Sequence, residues 1–195
     1  VYTLNKNFKV SFSMDSLGKV IDVFGNDLIS GKKFDNLLEF DVETGNIPLV
    51  ERSEVKREFL TGIAGIDLFY PIGKGQRQLI IGDKKTGKTQ ICLDMIANQK
   101  NSRMLCIYVA IGKTKKEVKQ IYYELTKMGA MSYTIIIASF FDDLPAKSYV
   151  TPYAATSIAK YFMRQGLDVL VIFDDLKKHA DIYRHMSLAA KKIPG

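Results

Sequence analysis

No uninterrupted apolar run in the 195-residue chain approaches the roughly 20 residues a bilayer-spanning helix needs, so any membrane association is expected through partners. Cysteine is scarce: Cys92 and Cys106 both fall inside apolar stretches without CxxC spacing. That excludes a CxxC metal or redox site and reads as core thiols in a reducing compartment. The two histidines, His179 and His185, lie six apart, which is not a helical metal pair, so each reads as solvated or satisfied. Arginine is also scarce, with six arginines against 22 lysines behind a net charge of +7. Lysine is the weaker base-reading residue, and no basic stripe is interleaved with aromatics. A lysine-rich solvated surface is therefore expected, with no nucleic acid partner. There is no basic-then-apolar leader at the amino end. The chain opens on Val1 and stops at Pro194-Gly195 after a helix-like stretch, so both ends read as cuts through a longer chain.

What is present is ordinary for a globular domain, with 47% hydrophobic and 25% charged residues and enough length for one sizeable core. Residues 1–50 carry short alternating runs, as in Phe8-Lys9-Val10-Ser11-Phe12, and turn signals at Gly18, Gly25-Asn26, Gly31 and Gly45-Asn46. They predict short strands and loops leading into a domain. From residue 78 the pattern becomes regular. The run 78–81 (QLII) predicts a buried strand, and Ile91, Cys92, Met95 and Ile96 give residues 88–99 a helical period. The run 104–111 (MLCIYVAI) predicts a parallel strand covered on both faces. Thr114 with Glu117 marks a capping box, opening a helix that buries Val118, Ile121, Tyr122, Leu125 and Met128. Residues 133–138 (YTIIIA) form the next strand, Thr151-Pro152 opens a helix to about 165, and 168–173 (DVLVIF) is a fourth strand before helix-like residues from about 176. Repeated alternation of strand and helix predicts an α/β domain with a mostly parallel sheet.

The chemistry begins at Gly82-Asp83-Lys84-Lys85-Thr86-Gly87-Lys88-Thr89, which fits G-x-x-x-x-G-K-[ST]. In such a loop the glycines let backbone N–H groups curl round phosphate oxygens at a helix start. Lys88 would reach the β- and γ-phosphates, Thr89 would offer its hydroxyl to Mg²⁺, and Gln90 would add a contact. A second element is the apolar run ending in Phe173-Asp174-Asp175. It places Asp174 at the sheet's carboxyl edge as the second metal-site residue, with Asp175 readable as a helix N-cap.

Hydrolysis also needs a group that orients water, expected at the end of the neighbouring strand 104–111. There the chain reads Ile111-Gly112-Lys113, and an ammonium cannot accept a proton. Glu117 is nearby, but its place in the capping box favours a structural role. The cradle and the metal carboxylate come without a convincing base.

Together these stretches resemble the alpha, non-catalytic subunit family of F-type ATP synthases, from about Leu17 to Gly195. The similar segments include Thr61-Gly62-Ile63, Pro71-Ile72-Gly73-Lys74-Gly75-Gln76-Arg77, the loop itself, Tyr108-Val109-Ala110-Ile111-Gly112, Pro152-Tyr153-Ala154 and Phe173-Asp174-Asp175-Leu176. The resemblance implies a RecA-like P-loop domain over 61–195, with 1–20 as the end of an N-terminal β-barrel and 21–60 as linker and loops. It implies Mg-ATP or ADP as ligand and an alternating three-plus-three ring with catalytic beta subunits around a central stalk. It further implies peripheral placement on the cytoplasmic face of a bacterial membrane or on an organelle matrix face. An arginine donated to the beta site would lie beyond Gly195. Lys113 stands where the alpha family has glutamine and the beta family glutamate, and Lys85 replaces a usual glutamine. Both mark a divergent member, one that could serve work other than proton-driven synthesis. Lys84 and Lys85 are expected to slow nucleotide exchange. The alternatives are a catalytically competent RecA-like motor, such as a secretion ATPase or hexameric helicase, and a scaffold whose loop has lost its ligand.

Overall fold

The computed structural model describes residues 8–42, 48, 50 and 54–193. Its centre is a four-stranded sheet, parallel in every pairing. Strands β6 (Leu105–Lys113), β7 (Thr134–Phe140) and β8 (Val169–Asp174) are joined at one edge by β2 (Val20–Ile21), in the order β2-β7-β6-β8. Helices α2 (Lys88–Ala97), α3 (Lys115–Lys127), α4 (Pro145–Arg164) and α5 (Leu176–Ala189) complete the α/β alternation. The expected α/β class with a mostly parallel sheet is what the chain adopts.

Every residue of β6 is buried, which is why its sequence is a near-continuous apolar run rather than an alternating one. Side chains still alternate between the two faces. Cys106, Tyr108 and Ala110 meet Leu93 and Ile96 of α2 and Val118, Ile121 and Leu125 of α3. Ile107, Val109 and Ile111 meet Ala155, Ile158 and Phe162 of α4. Each fully buried aliphatic side chain of this kind contributes about 1.5–3 kcal/mol. The amino-terminal strands β1 (Lys9–Phe12) and β3 (Leu38–Asp41) pair antiparallel and pack on α4, where the ring centroids of Phe12 and Phe162 are 5.5 Å apart. The stretch 21–60 thus holds strand β3 as well as loops, and Val20–Ile21 bonds directly to the central sheet.

A small antiparallel pair, β4 (Glu58–Phe59) with β5 (Ile72–Gly73), brackets the short helix α1 (Ala64–Phe69). The Asp67 carboxylate holds the preceding turn, accepting from the Thr61 and Gly62 N–H groups and from the Thr61 hydroxyl at 2.6 Å. Asp168, just before β8, is gripped by Lys74 Nζ at 2.7 Å and Arg57 Nη2 at 2.8 Å, which ties the 71–75 turn to the sheet.

Three expectations are corrected. The run 78–81 is not a strand: it joins no ladder among the described residues, and Leu79 and Ile81 are 72% and 86% exposed. A β-branched run becomes a strand only against a neighbour, and β8 is bonded on the β6 side alone among the described residues. The helix expected from Thr151-Pro152 begins at Pro145 and runs through Pro152. An interior proline normally ends a helix because it removes an N–H. Nearby threonine hydroxyls bond back to helix carbonyls, Thr151 to Lys147 and Thr156 to Pro152, both at 2.8 Å, but neither replaces the N–H that Pro152 denies the Ser148 carbonyl. Finally, Met128 is exposed at the end of α3, while Leu93, unremarked in the sequence, is buried on α2.

Candidate functional site

The loop 82–87 leads into α2 through Gly87, which caps the helix in the left-handed region at φ 90°. A Cβ-bearing residue adopts that region at a cost, so the second glycine of the motif is required by backbone geometry. Lys85 also takes a positive φ, 65°. Thr86 donates its hydroxyl to the Asp83 carbonyl at 2.8 Å, closing the loop on itself. Lys88 curls back and donates its ammonium to the carbonyls of Gly82, at 2.7 Å, and of Asp83. The cation therefore lies within the loop, held by the loop's own carbonyls. Lys84 and Lys85 are exposed on the same loop. Gln90 donates instead to Asp94, 2.8 Å away along the helix, so its side chain lies along α2 rather than over the loop.

Thr89 and Asp174 were paired by sequence reasoning across 85 residues. Their side chains meet, with Thr89 Oγ1 donating to Asp174 Oδ2 at 3.0 Å. The pairing follows from the topology. Asp174 ends β8, and α2 packs on the same side of the sheet as Leu170 and Ile172. Asp174, two residues further on, shares that face. Asp175 accepts from the Lys178 N–H at 2.8 Å and is the N-cap of α5.

Two further groups converge on Asp174. Tyr108 donates its phenolic hydroxyl to Oδ2, and the Lys113 ammonium lies 2.9 Å from the same oxygen. Tyr108 was not singled out from sequence, although it is the one hydroxyl in the run 104–111. It stands opposite Ile172 in the β6–β8 register, and Ile172 lies two residues before the end of β8. Lys113 reaches the cluster because β6 is irregular. Ala110 pairs with Ala138 but Lys113 with Phe140, so one extra residue is inserted at the strand end. Strict alternation from Ile107, Val109 and Ile111 would turn residue 113 toward α4. The bulge brings it to the Tyr108 face instead. Gly112 makes the bend at φ 58°, with its N–H bonded to the Ser139 hydroxyl and its carbonyl to Lys178 Nζ at 2.8 Å.

The electrostatics follow from this packing. Burial alone would raise the Asp174 carboxyl, but the Tyr108 hydrogen bond, the Lys113 charge and the Thr89 hydroxyl outweigh it and hold the group below its ordinary range. Burial and the neighbouring carboxylate drive the Tyr108 phenol up, so it stays a donor. Cys92, beside the cluster, is pushed up to about 11 by burial and by Asp174, with Lys113 opposing. Cys106 reaches about 12 from burial. Both are free thiols in the core region, as their setting in the sequence indicated.

Glu117 closes the capping box. Its carboxylate accepts from the Thr114 N–H and hydroxyl at 2.7 Å each, and its own N–H bonds Thr114 Oγ1. Those bonds commit it to the start of α3. His179 stacks on Tyr149 with ring centroids 5.4 Å apart and meets the Tyr149 carbonyl at 3.0 Å, while His185 is exposed. Among the described residues no three His, Cys, Asp or Glu side chains form a metal-holding group. A Mg²⁺ site of the kind that borrows substrate phosphates would draw on Thr89 and Asp174, but in this chain Asp174 Oδ2 already accepts from Thr89, Tyr108 and Lys113.

Residues 62–195 match the family model described as the ATP synthase alpha/beta family, nucleotide-binding domain. The chain is 47% identical over 182 residues to ATP synthase subunit alpha of Clostridium botulinum (strain Langeland / NCTC 10281 / Type F), covering 93% of this chain and 35% of that protein. It is 42% identical over 195 residues to ATP synthase subunit alpha of Dictyoglomus thermophilum, covering all of this chain and 38% of that protein. The chain therefore spans little more than a third of the length of these curated relatives.

Proposed function

Because this chain belongs to the ATP synthase alpha/beta family, we propose that it is the nucleotide-binding part of an alpha-type subunit of a rotary ATPase, one that holds nucleotide without hydrolysing it. The observation that carries this reading is the end of β6. Where a water-orienting carboxylate or amide is required, the side chain is Lys113, ion-paired to Asp174. The nearest alternative, Glu117, is bound to Thr114.

In this reading the phosphates lie against the backbone of 82–89 at the amino end of α2, where unpaired N–H groups and the helix dipole favour anions. Lys88 moves from the Gly82 and Asp83 carbonyls to the phosphate oxygens. Lys84 and Lys85 add positive charge at the rim. Thr89 and Asp174 are the pair that would face a metal ion, and Lys113 already sits on the Asp174 carboxylate. Tyr108 orients the Asp174 carboxylate, and no group in the cluster is placed to take a proton from water.

The wider roles belong to the same proposal. They comprise an alternating ring with catalytic beta subunits, a central stalk and a peripheral position on a membrane reached through partners. The segment 1–20 as the end of a β-barrel belongs here too. No helix among the described residues is long and apolar enough to cross a membrane. The test is equilibrium binding and single-turnover hydrolysis of ATP by the full-length subunit. Tight binding with negligible turnover is expected. Sustained hydrolysis that disappears in Lys113→Ala would replace the proposal with a catalytically competent motor.

A further inference from the structure

The carboxylate that would serve a metal ion already has a cation. Lys113 Nζ lies 2.9 Å from Asp174 Oδ2, and both side chains are largely buried, at 11% and 14% exposure. The same oxygen accepts from Thr89 and Tyr108. Three donors crowd that oxygen and leave it no lone pair for an ion, so a metal would have to use Oδ1 or displace the lysine.

The lysine is not a casual surface neighbour. A one-residue bulge in β6 exists at the point that turns it toward Asp174, and Gly112, Ser139 and Lys178 fix that bulge with hydrogen bonds. Among the described residues Asp174 is also the only acidic side chain in the cluster, since Asp175 is committed to capping α5 and Glu117 to capping α3. A divalent ion approaching Thr89 and Asp174 therefore meets one carboxylate whose charge is already balanced, with a fixed ammonium at contact distance from it. On the phosphate side, Lys84, Lys85 and Lys88 crowd six residues of loop and the first turn of α2. Those three lysines supply, on the phosphate side, part of the positive charge that Mg²⁺ ordinarily brings to a bound triphosphate.

We propose that Lys113 is a tethered cation standing in for the metal ion, so that this chain binds nucleoside triphosphate with little dependence on Mg²⁺. The inference rests on the nucleotide-binding reading above and specifies the ionic form of the ligand, the free polyphosphate rather than its magnesium complex.

The experiment is calorimetric titration of the nucleotide-stripped full-length subunit with ATP, in excess Mg²⁺ and in EDTA. For the unmodified protein the two dissociation constants agree within about threefold. In Lys113→Gln, binding weakens in EDTA and a Mg²⁺ dependence of about tenfold or more emerges, while Lys113→Arg keeps the unmodified behaviour. Mn²⁺ followed by electron paramagnetic resonance in the presence of ATP gives a second readout. The unmodified protein retains little bound Mn²⁺, and Lys113→Gln retains more. A loss of about tenfold or more in EDTA for the unmodified protein overturns the inference while leaving nucleotide binding intact. That measurement stands even if Lys113→Gln does not fold. No binding in either buffer overturns the nucleotide reading itself.

Discussion

Lys113 and Asp174 end two adjacent parallel strands and meet through a 2.9 Å ion pair made possible by one inserted residue. The pair explains how a carboxylate in a poorly solvated cluster stays ionised. Burial is the largest influence on Asp174 and acts to raise it, and the Tyr108 hydrogen bond with the Lys113 charge reverses the direction.

Removing the lysine should therefore diminish Asp174's contribution to stability. In the unmodified chain the depressed carboxyl stabilises the fold above its unfolded value near 4, and that contribution is lost as pH falls through the folded value. In Lys113→Ala the charge and hydrogen bond of the lysine are gone, so burial is less opposed and the carboxyl moves up from its depressed value. The cost is greatest at neutral pH and shrinks as pH falls and Asp174 protonates. Urea denaturation should show Lys113→Ala destabilised by about 2–4 kcal/mol at pH 7, with the gap narrowing as pH falls. The double variant Lys113→Met with Asp174→Asn should recover much of the loss. A gap that widens on acidification would contradict this account.

Gly112 carries the bulge that aims Lys113. At φ 58° an alanine is strained, although its Cβ would meet nothing closer than the Lys178 side chain at 3.6 Å. Gly112→Ala should cost about 1–2 kcal/mol through backbone strain alone. Because the strain can be relieved by moving the strand end, the Lys113 contact should weaken too. Crosslinking or a crystal structure of the variant would show the lysine withdrawn from Asp174. An unchanged stability and geometry would mean that the bulge does not depend on glycine.

Asp168 anchors the 71–75 turn by a different route. The Lys74 hydrogen bond, assisted by Arg57, outweighs burial and holds its carboxyl low. A depressed carboxyl stabilises the fold above its unfolded value and loses that contribution as pH falls. The pair is partly solvated and Arg57 is exposed, so screening limits Asp168→Asn to about 0.5–1 kcal/mol near pH 7. The difference from the unmodified chain should shrink as pH falls through the depressed folded value of Asp168, and shrink in high salt. Thermal melts across that range, at two ionic strengths, test both statements.

Much of this architecture was readable because burial on both faces leaves a composition signature. The runs 104–111 and 133–138 are apolar throughout, and their strands occupy the middle of the sheet. Thr114 with Glu117 announced α3 because a capping box is a local device needing no tertiary partner. The run 78–81 carried the same strand signature and failed because a ladder depends on a neighbour, which the run itself cannot report. Pro152 lies inside α4, which continues on both sides of it, and a Thr-Pro start signal read alone cannot report the helical turns before it. At the site, the Thr89–Asp174 contact was legible from loop spacing and strand end. The Lys113–Asp174 contact was not, because strand alternation places residue 113 on the opposite face until the bulge is seen.

The two extra lysines of the loop offer the last test. Lys85 combines positive charge with a left-handed backbone, whereas Lys84 contributes charge alone. Lys85→Gln removes the charge and keeps the strain, while Lys85→Gly removes both. If charge near the phosphates governs nucleotide release, both variants and Lys84→Gln should raise the ATP off-rate by about 3- to 10-fold each, with smaller effects at high salt. If loop geometry governs it, Lys85→Gly alone should change the rate, because a relaxed left-handed position lets the cradle open and close at lower cost. Stopped-flow displacement of a fluorescent ATP analogue from the full-length subunit separates the two. Equal off-rates in all four proteins would remove any role for these lysines in holding nucleotide.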